Sequence, residues 1–319
     1  MRVAATTFTA IVDARRAFLG ELIDDAGLFP PAQLSMPEAL LAHERARTGP
    51  HAWMLGRFIV AASRLRELAE TLDDGAGALR IGVVIDGERS AGFAAIAKHA
   101  ETGSHRLLVE SVELKLRNPS ATTTGADEQM KIVLDAKEAA PAGAAVYFEL
   151  DVSAGAAPEA ALEAIARAAQ SSESRIFAKI RCGGLVAEAI PAPARLAQVI
   201  KRAVELRVAL KATAGLHHAL RRRQAEAGFT MHGFLNVIGA AVLASTLPVS
   251  ESTIEAMIAD EDPANFELDS TRLRWRDLSI TAGAIGLARA RTIHSYGSCS
   301  FDEPVEDLIA LGILGSHEP

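Results

Sequence analysis

Between Arg175 and His218 the sequence reads RIFAKIRCGG, then a helical stretch, then VALKATAGLHH, and both apolar runs close on a lysine followed four residues later by glycine: Lys179 to Gly183 and Lys211 to Gly215. Apolar run, glycine turn, helix and second apolar run is the pattern of a parallel β–α–β unit, which few architectures accommodate. Because side chains alternate along a strand, Ile176, Ala178 and Ile180 take one face while Phe177, Lys179 and Arg181 take the other. In the second run Val208 and Leu210 oppose Lys211 and Thr213. Two lysines and an arginine therefore point the same way at the carboxyl ends of neighbouring strands, where α/β folds place ligands. A lone strand-end lysine is usually just solvated. Two inward lysines beside Arg181 repel one another unless an anion or a shifted pKa accommodates them, which marks the stretch as a candidate site.

The same alternation runs through the chain. Thr7 to Leu19 is weakly helical, Glu21 to Phe29 is a short strand broken at Gly27 and Pro30-Pro31, and Ser35 to Glu38 is a capping box opening a helix to about Arg47. Further strands are expected at Arg57–Ala62, Arg80–Asp86, His105–Arg117 and Ala145–Asp151, with helices between them and a polar loop at Asn118–Asp127. On the fifth strand Tyr147, Glu149 and Asp151 share a face opposite Val146, Phe148 and Leu150, so Glu149 is a candidate interior carboxylate. The eighth strand has two candidates, Phe266–Asp269 and Thr292–Tyr296, and the second is preferred. The expected fold is a single (β/α)8 TIM-like barrel domain over residues 1–319, elaborated between strands seven and eight. That segment, about 228–290, is expected to hold helices Phe234–Ala244 and Thr253–Asp260 and room for a hairpin.

Several function classes are excluded by composition. A net charge of −7, only 5% aromatic residues and a longest basic run of three, Arg221–Arg223, argue against a nucleic-acid partner. The longest apolar stretch, Gly233–Ala244, contains Asn236 and is too short to span a bilayer. Cys182 and Cys299 fit neither a zinc cluster nor a disulfide framework. A soluble cytoplasmic protein without metal or cofactor is expected, with a small anionic metabolite as its partner. A homo-oligomer is compatible, since barrels commonly associate through their outer helices.

A lysine amine attacks a carbonyl only when neutral, and a neighbouring cation favours that form. Lys211 stands in that relation to Lys179. The paired Lys-x-x-x-Gly motifs resemble those of the class I, Schiff-base aldolases of the deoxyribose-phosphate aldolase type. The resemblance implies that Lys179 forms the imine, that Lys211 lowers its pKa, and that Gly297, Ser298 and Ser300 form a phosphate-holding turn after strand eight. It covers two strands and that turn. Arg181 stands where the family has a small residue, His217-His218 replace its glycine-rich continuation, and the family's acidic partner is not located by motif.

Other candidates are His217 as a proton carrier, and Arg181, His218, His232 and Asp24 as substrate-binding residues; Glu149 and Asp151 are the parity-based candidates for a general acid or base. Three functions are compatible with these residues. One is a lyase or aldolase acting through Lys179 on a small anionic carbonyl or phosphorylated compound. Another is an isomerase or decarboxylase using both lysines electrostatically. The third is a non-catalytic barrel that binds a metabolite.

Overall fold

Eight parallel strands close on themselves in sequence order, the eighth pairing with the first. The computed structural model describes residues 13–72, 77–101, 106–116, 125–153, 156–171, 175–224 and 228–315. The barrel strands are Ile23–Asp25, Leu55–Ala61, Leu79–Val84, Leu107–Lys115, Ala145–Leu150, Ile176–Arg181, Leu210–Thr213 and Ile293–Ser298. The fold is the expected (β/α)8 barrel, and its last strand is the preferred one. Much of the expected polar loop at 118–127, and the start of the helix expected at 7–19, lie outside the described residues; the helix described there is Ala14–Leu19.

Alternation divides the strands into two populations. Outward side chains such as Phe58, Val83, Val112, Phe148, Ile180 and Ala212 are buried and apolar. They meet the apolar stripes of the surrounding helices, for example Leu196, Val199, Ile200 and Ala203 of helix Pro193–Leu206. The hydrophobic core is thus an annulus between barrel and helices. Inside the barrel the same alternation leaves polar and charged residues, which sets the chemistry of the mouth.

Between strands seven and eight the chain makes a long excursion. It comprises a short antiparallel pair, Arg222–Arg223 with Thr230–Met231, helices Phe234–Thr246 and Glu251–Ala259, and an antiparallel sheet of Phe266–Leu268, Arg272–Trp275 and Leu278–Thr281. The rejected strand-eight candidate is an edge of this sheet. A further helix, Ala282–Arg291, was not expected, because Gly283 and Gly286 weaken its pattern. Two buried polar residues fix the excursion. Asn236 accepts from Arg221 N–H at 2.7 Å and donates to the carbonyls of Met257 and Asp260, both at 2.8 Å. Arg289 donates to the carbonyls of Phe18, Gly20, Ile293 and His294, tying the last helix to the chain entering strand one.

Candidate active site

The strand register brings Glu149, Lys179 and Lys211 to one level of the interior: Glu149 pairs with Lys179 and Lys179 with Lys211 across adjacent strands. The two lysines are separated by a carboxylate that sequence reasoning did not single out. Glu113, on strand four, places Oε2 2.8 Å from Lys179 Nζ and Oε1 2.6 Å from Lys211 Nζ. Glu149 Oε2 lies 3.0 Å from Lys179 Nζ on the other side, and Asp24 Oδ2 lies 2.5 Å from Lys211 Nζ. Asp24 is itself held by Ser295 Oγ at 2.7 Å and Arg57 N–H at 2.7 Å.

These contacts belong to a line of alternating charge along the barrel. From below it runs Glu21, Arg80, Glu110, Arg57 and Asp24, with separations of 2.7, 2.7, 3.1 and 3.6 Å. It continues through Lys211, Glu113, Lys179 and Glu149 to Arg181, whose Nη1 is 3.9 Å from Glu149 Oε1 at the open end. Below Lys211 the interior closes with Tyr147, whose ring centroid is 5.7 Å from Nζ and whose hydroxyl is 2.8 Å from His294 Nδ1. A register shift between Ile293 and Tyr296 lets the consecutive His294 and Ser295 both serve the interior. His294 is packed edge-on against Phe177, and burial lowers its pKa to about 4.

Two glycines make room for the carboxylates. A Cβ at Gly56 would collide with Asp24 Oδ1, and one at Gly82 would collide with Ile59 and with Ser111 Oγ beside Glu113. Glycine inside a strand marks such a close approach, a signal present in the sequence that the expectations above do not use.

Electrostatics reverse one expectation. Lys211 was to depress Lys179, but both lysines are raised instead. Burial works against each ammonium, yet Glu113 and Glu149 outweigh it at Lys179, and Asp24 and Glu113 outweigh it at Lys211. Burial alone would raise the Glu113 carboxyl, but the two ammoniums hold it down at about 2. At rest the two lysines therefore stand as ammoniums on either side of an ionised Glu113.

Above it opens a cleft of about 1660 Å³ whose wall includes Lys179, Lys211, Glu113, Glu149, Arg181 and His217. His217 Nδ1 is 3.4 Å from Glu303 Oε2 and 3.5 Å from Cys299 Sγ. Burial lowers its pKa, outweighing the opposing pull of the Glu303 carboxylate. His218 also lines the cleft, with Nδ1 3.1 Å from Asp307 Oδ2 and Nε2 2.8 Å from Arg222 Nη2. Gly297, Ser298 and Ser300 line the wall, but Ser300 Oγ accepts from Glu303 N–H at 3.2 Å. That hydroxyl caps a helix, and Glu303 beside it repels an anion.

Two expected substrate ligands are placed elsewhere. His232 does not line the cleft: it is buried, its Nε2 is 2.8 Å from the Pro191 carbonyl oxygen, and burial lowers its pKa to about 4. A histidine opening a helix became a hydrogen-bonded core residue. Asp24 is fully buried and both its oxygens are engaged, so it holds Lys211 rather than substrate. Among the described residues no group of three or more His, Cys, Asp or Glu is placed to hold a metal ion, and no helix is long and apolar enough to cross a membrane.

No family model and no curated protein matches the chain. Among solved structures it is similar to the deoxyribose phosphate aldolase from Aeropyrum pernix, with 13% identity over 95% of this chain and 99% of that one and a TM-score of 0.46. The barrel assignment rests on the closed strand order of this chain itself.

Proposed function

We propose that the protein is a carbon–carbon lyase of the aldolase kind, acting on a carbonyl compound through an imine on Lys179. The observation that carries this reading is the position of Lys179: its Nζ lies at the floor of an open cleft, between Glu113 at 2.8 Å and Glu149 at 3.0 Å. Glu113, held down at about 2 by two ammoniums, is a poor proton acceptor. Glu149 is bonded to one ammonium and reaches the cleft, so it takes the Lys179 proton as the carbonyl enters. The freed amine then attacks the carbonyl carbon, one N–H proton passes to the carbonyl oxygen to give a carbinolamine, and Glu149 returns its proton to that hydroxyl, which leaves as water. The iminium that remains withdraws electrons from the adjacent carbon–carbon bond. Lys211 stays charged against Asp24 and Glu113 and keeps Glu113 ionised, while His217 handles protons at the mouth. Arg181, partly exposed at the rim, suits a carboxylate on the substrate.

A second reading is favoured by the raised lysines themselves. With both amines charged at rest, the floor equally suits electrostatic stabilisation of an enolate without covalent chemistry. Borohydride reduction in the presence of oxo-acids and aldehydes, read by intact mass, separates the two. The imine reading expects a reduced adduct that is lost in Lys179→Ala. Exchange of the protons beside the carbonyl with deuterated water, without any adduct, would instead establish the electrostatic reading.

A further inference from the structure

The cleft is larger than its ionic floor requires, and its outer part is chemically different. Small-molecule sites usually enclose about 300–1000 Å³, whereas this one is about 1660 Å³. Its lip is assembled from three segments far apart in sequence: Phe29, Pro30 and Pro31 after strand one, Leu185 after strand six, and Phe229 and Met231 beside the short antiparallel pair after strand seven. Leu185 is 65% exposed and its neighbour Val186 54% exposed. A solvated leucine on the lip of a cleft is apolar area left for an occupant to cover. The turn after strand eight does not offset this with an anion site, because Ser300 is a helix cap and Glu303 lines the wall.

Resting on the carbonyl chemistry proposed above, we propose that the substrate is amphipathic: an oxo-acid whose carbonyl reaches Lys179, whose carboxylate meets Arg181, and whose apolar body, an alkyl chain or aromatic ring, lies against Phe29, Pro31, Leu185 and Phe229. A compact sugar phosphate leaves that lip wet. The occupant is a small molecule because the lip is continuous with the ionic floor, so one ligand spans both.

Calorimetric titration of the full chain with butanoate, hexanoate and octanoate measures this without any imine. Affinity is expected to rise about threefold to fourfold for each methylene buried, and Leu185→Asp and Phe229→Asp are each expected to flatten that slope. Leu185→Asp changes an exposed position, so folding is not at issue. Affinity independent of chain length, or a slope indifferent to both variants, would overturn the proposal. So would a concentration-dependent dimer abolished by Leu185→Asp, which would assign the lip to a second copy. Borohydride trapping with pyruvate and 2-oxooctanoate completes the test. Preferential trapping of the longer acid supports both readings, a chain-length slope without adducts sinks only the imine, and equal trapping of the two acids sinks only the apolar body.

Discussion

Lys179 and Lys211 share one carboxylate: the two oxygens of Glu113 bridge them at 2.8 and 2.6 Å. A lysine pair that the sequence presents as mutually repelling is in fact a neutralised unit. Glu113→Gln removes the anion that raises both amines while keeping the shape. Lys179 is expected to lose its proton at lower pH, by about 1–3 units for loss of one close opposite charge. The rate of borohydride-trapped adduct against pH should show the same displacement toward acid; an unmoved profile would disconnect Glu113 from Lys179.

The same ion cluster makes stability depend on pH at both ends. Glu113 and Asp24 are depressed in the fold, so their contribution is complete above the unfolded carboxyl value, about 4, and is lost as pH falls toward the Glu113 value of about 2. Lys179 and Lys211 are raised, so theirs is complete below about 10.4 and disappears as pH climbs beyond it. Thermal unfolding between pH 2 and 12 is expected to give a plateau with two falling limbs. In Glu113→Gln the acid limb should be shallower.

Gly56 and Gly283 should respond oppositely to alanine. A methyl at Gly56 lands on Asp24 Oδ1, so Gly56→Ala displaces the carboxylate that holds Lys211. A loss of about 1–3 kcal/mol is expected, typical of overpacking. Gly283 lies inside helix Ala282–Arg291 with nothing within 4 Å of its added methyl, and Gly283→Ala is expected to gain about 0.4–1 kcal/mol. Urea unfolding of the two variants gives both signs in one experiment.

Asn236 is the one polar residue among the buried positions 234–244 of its helix, and its three hydrogen bonds serve backbone groups of two other segments, Arg221 and the end of helix Glu251–Ala259. Asn236→Leu leaves the Arg221 N–H and the Met257 and Asp260 carbonyls without that partner. The expected loss is about 2–4 kcal/mol, judged from the cost of unsatisfied buried groups. A protein as stable as the wild type in calorimetry would show that water replaces the amide.

The barrel was legible because seven alternations of short apolar run and helix leave little else to build, and because Lys179 and Lys211 share an interior parity. Glu113 obeys that same parity but was hidden. It alternates with apolar residues beside Lys115 and Arg117, a pattern equally suited to a solvated strand face until closure covers both sides of the strand. Asp24 and Asp25 are neighbours on a three-residue strand, and only its pairing decides that Asp24 enters the barrel while Asp25 meets His43 at 3.0 Å. The burial of His232 away from the cleft is not legible in the sequence, because its partners, Pro191 and Arg221, come from other segments. The glycines at 56 and 82 were the unused clue: each interrupts a strand at the height of a carboxylate.

The excursion between strands seven and eight has a consequence for how such a protein changes over generations. The floor draws its ions from strands one, four, five, six and seven, whereas the excursion supplies Phe229 and Met231 to the lip and docks through Asn236 and Arg289. Insertions and exchanges within that one continuous stretch can therefore reshape part of the lip while the floor residues keep their register. One part of the lip is thus encoded on a different piece of the gene from the ionic floor, while the rest, Phe29, Pro31 and Leu185, follows directly on floor strands.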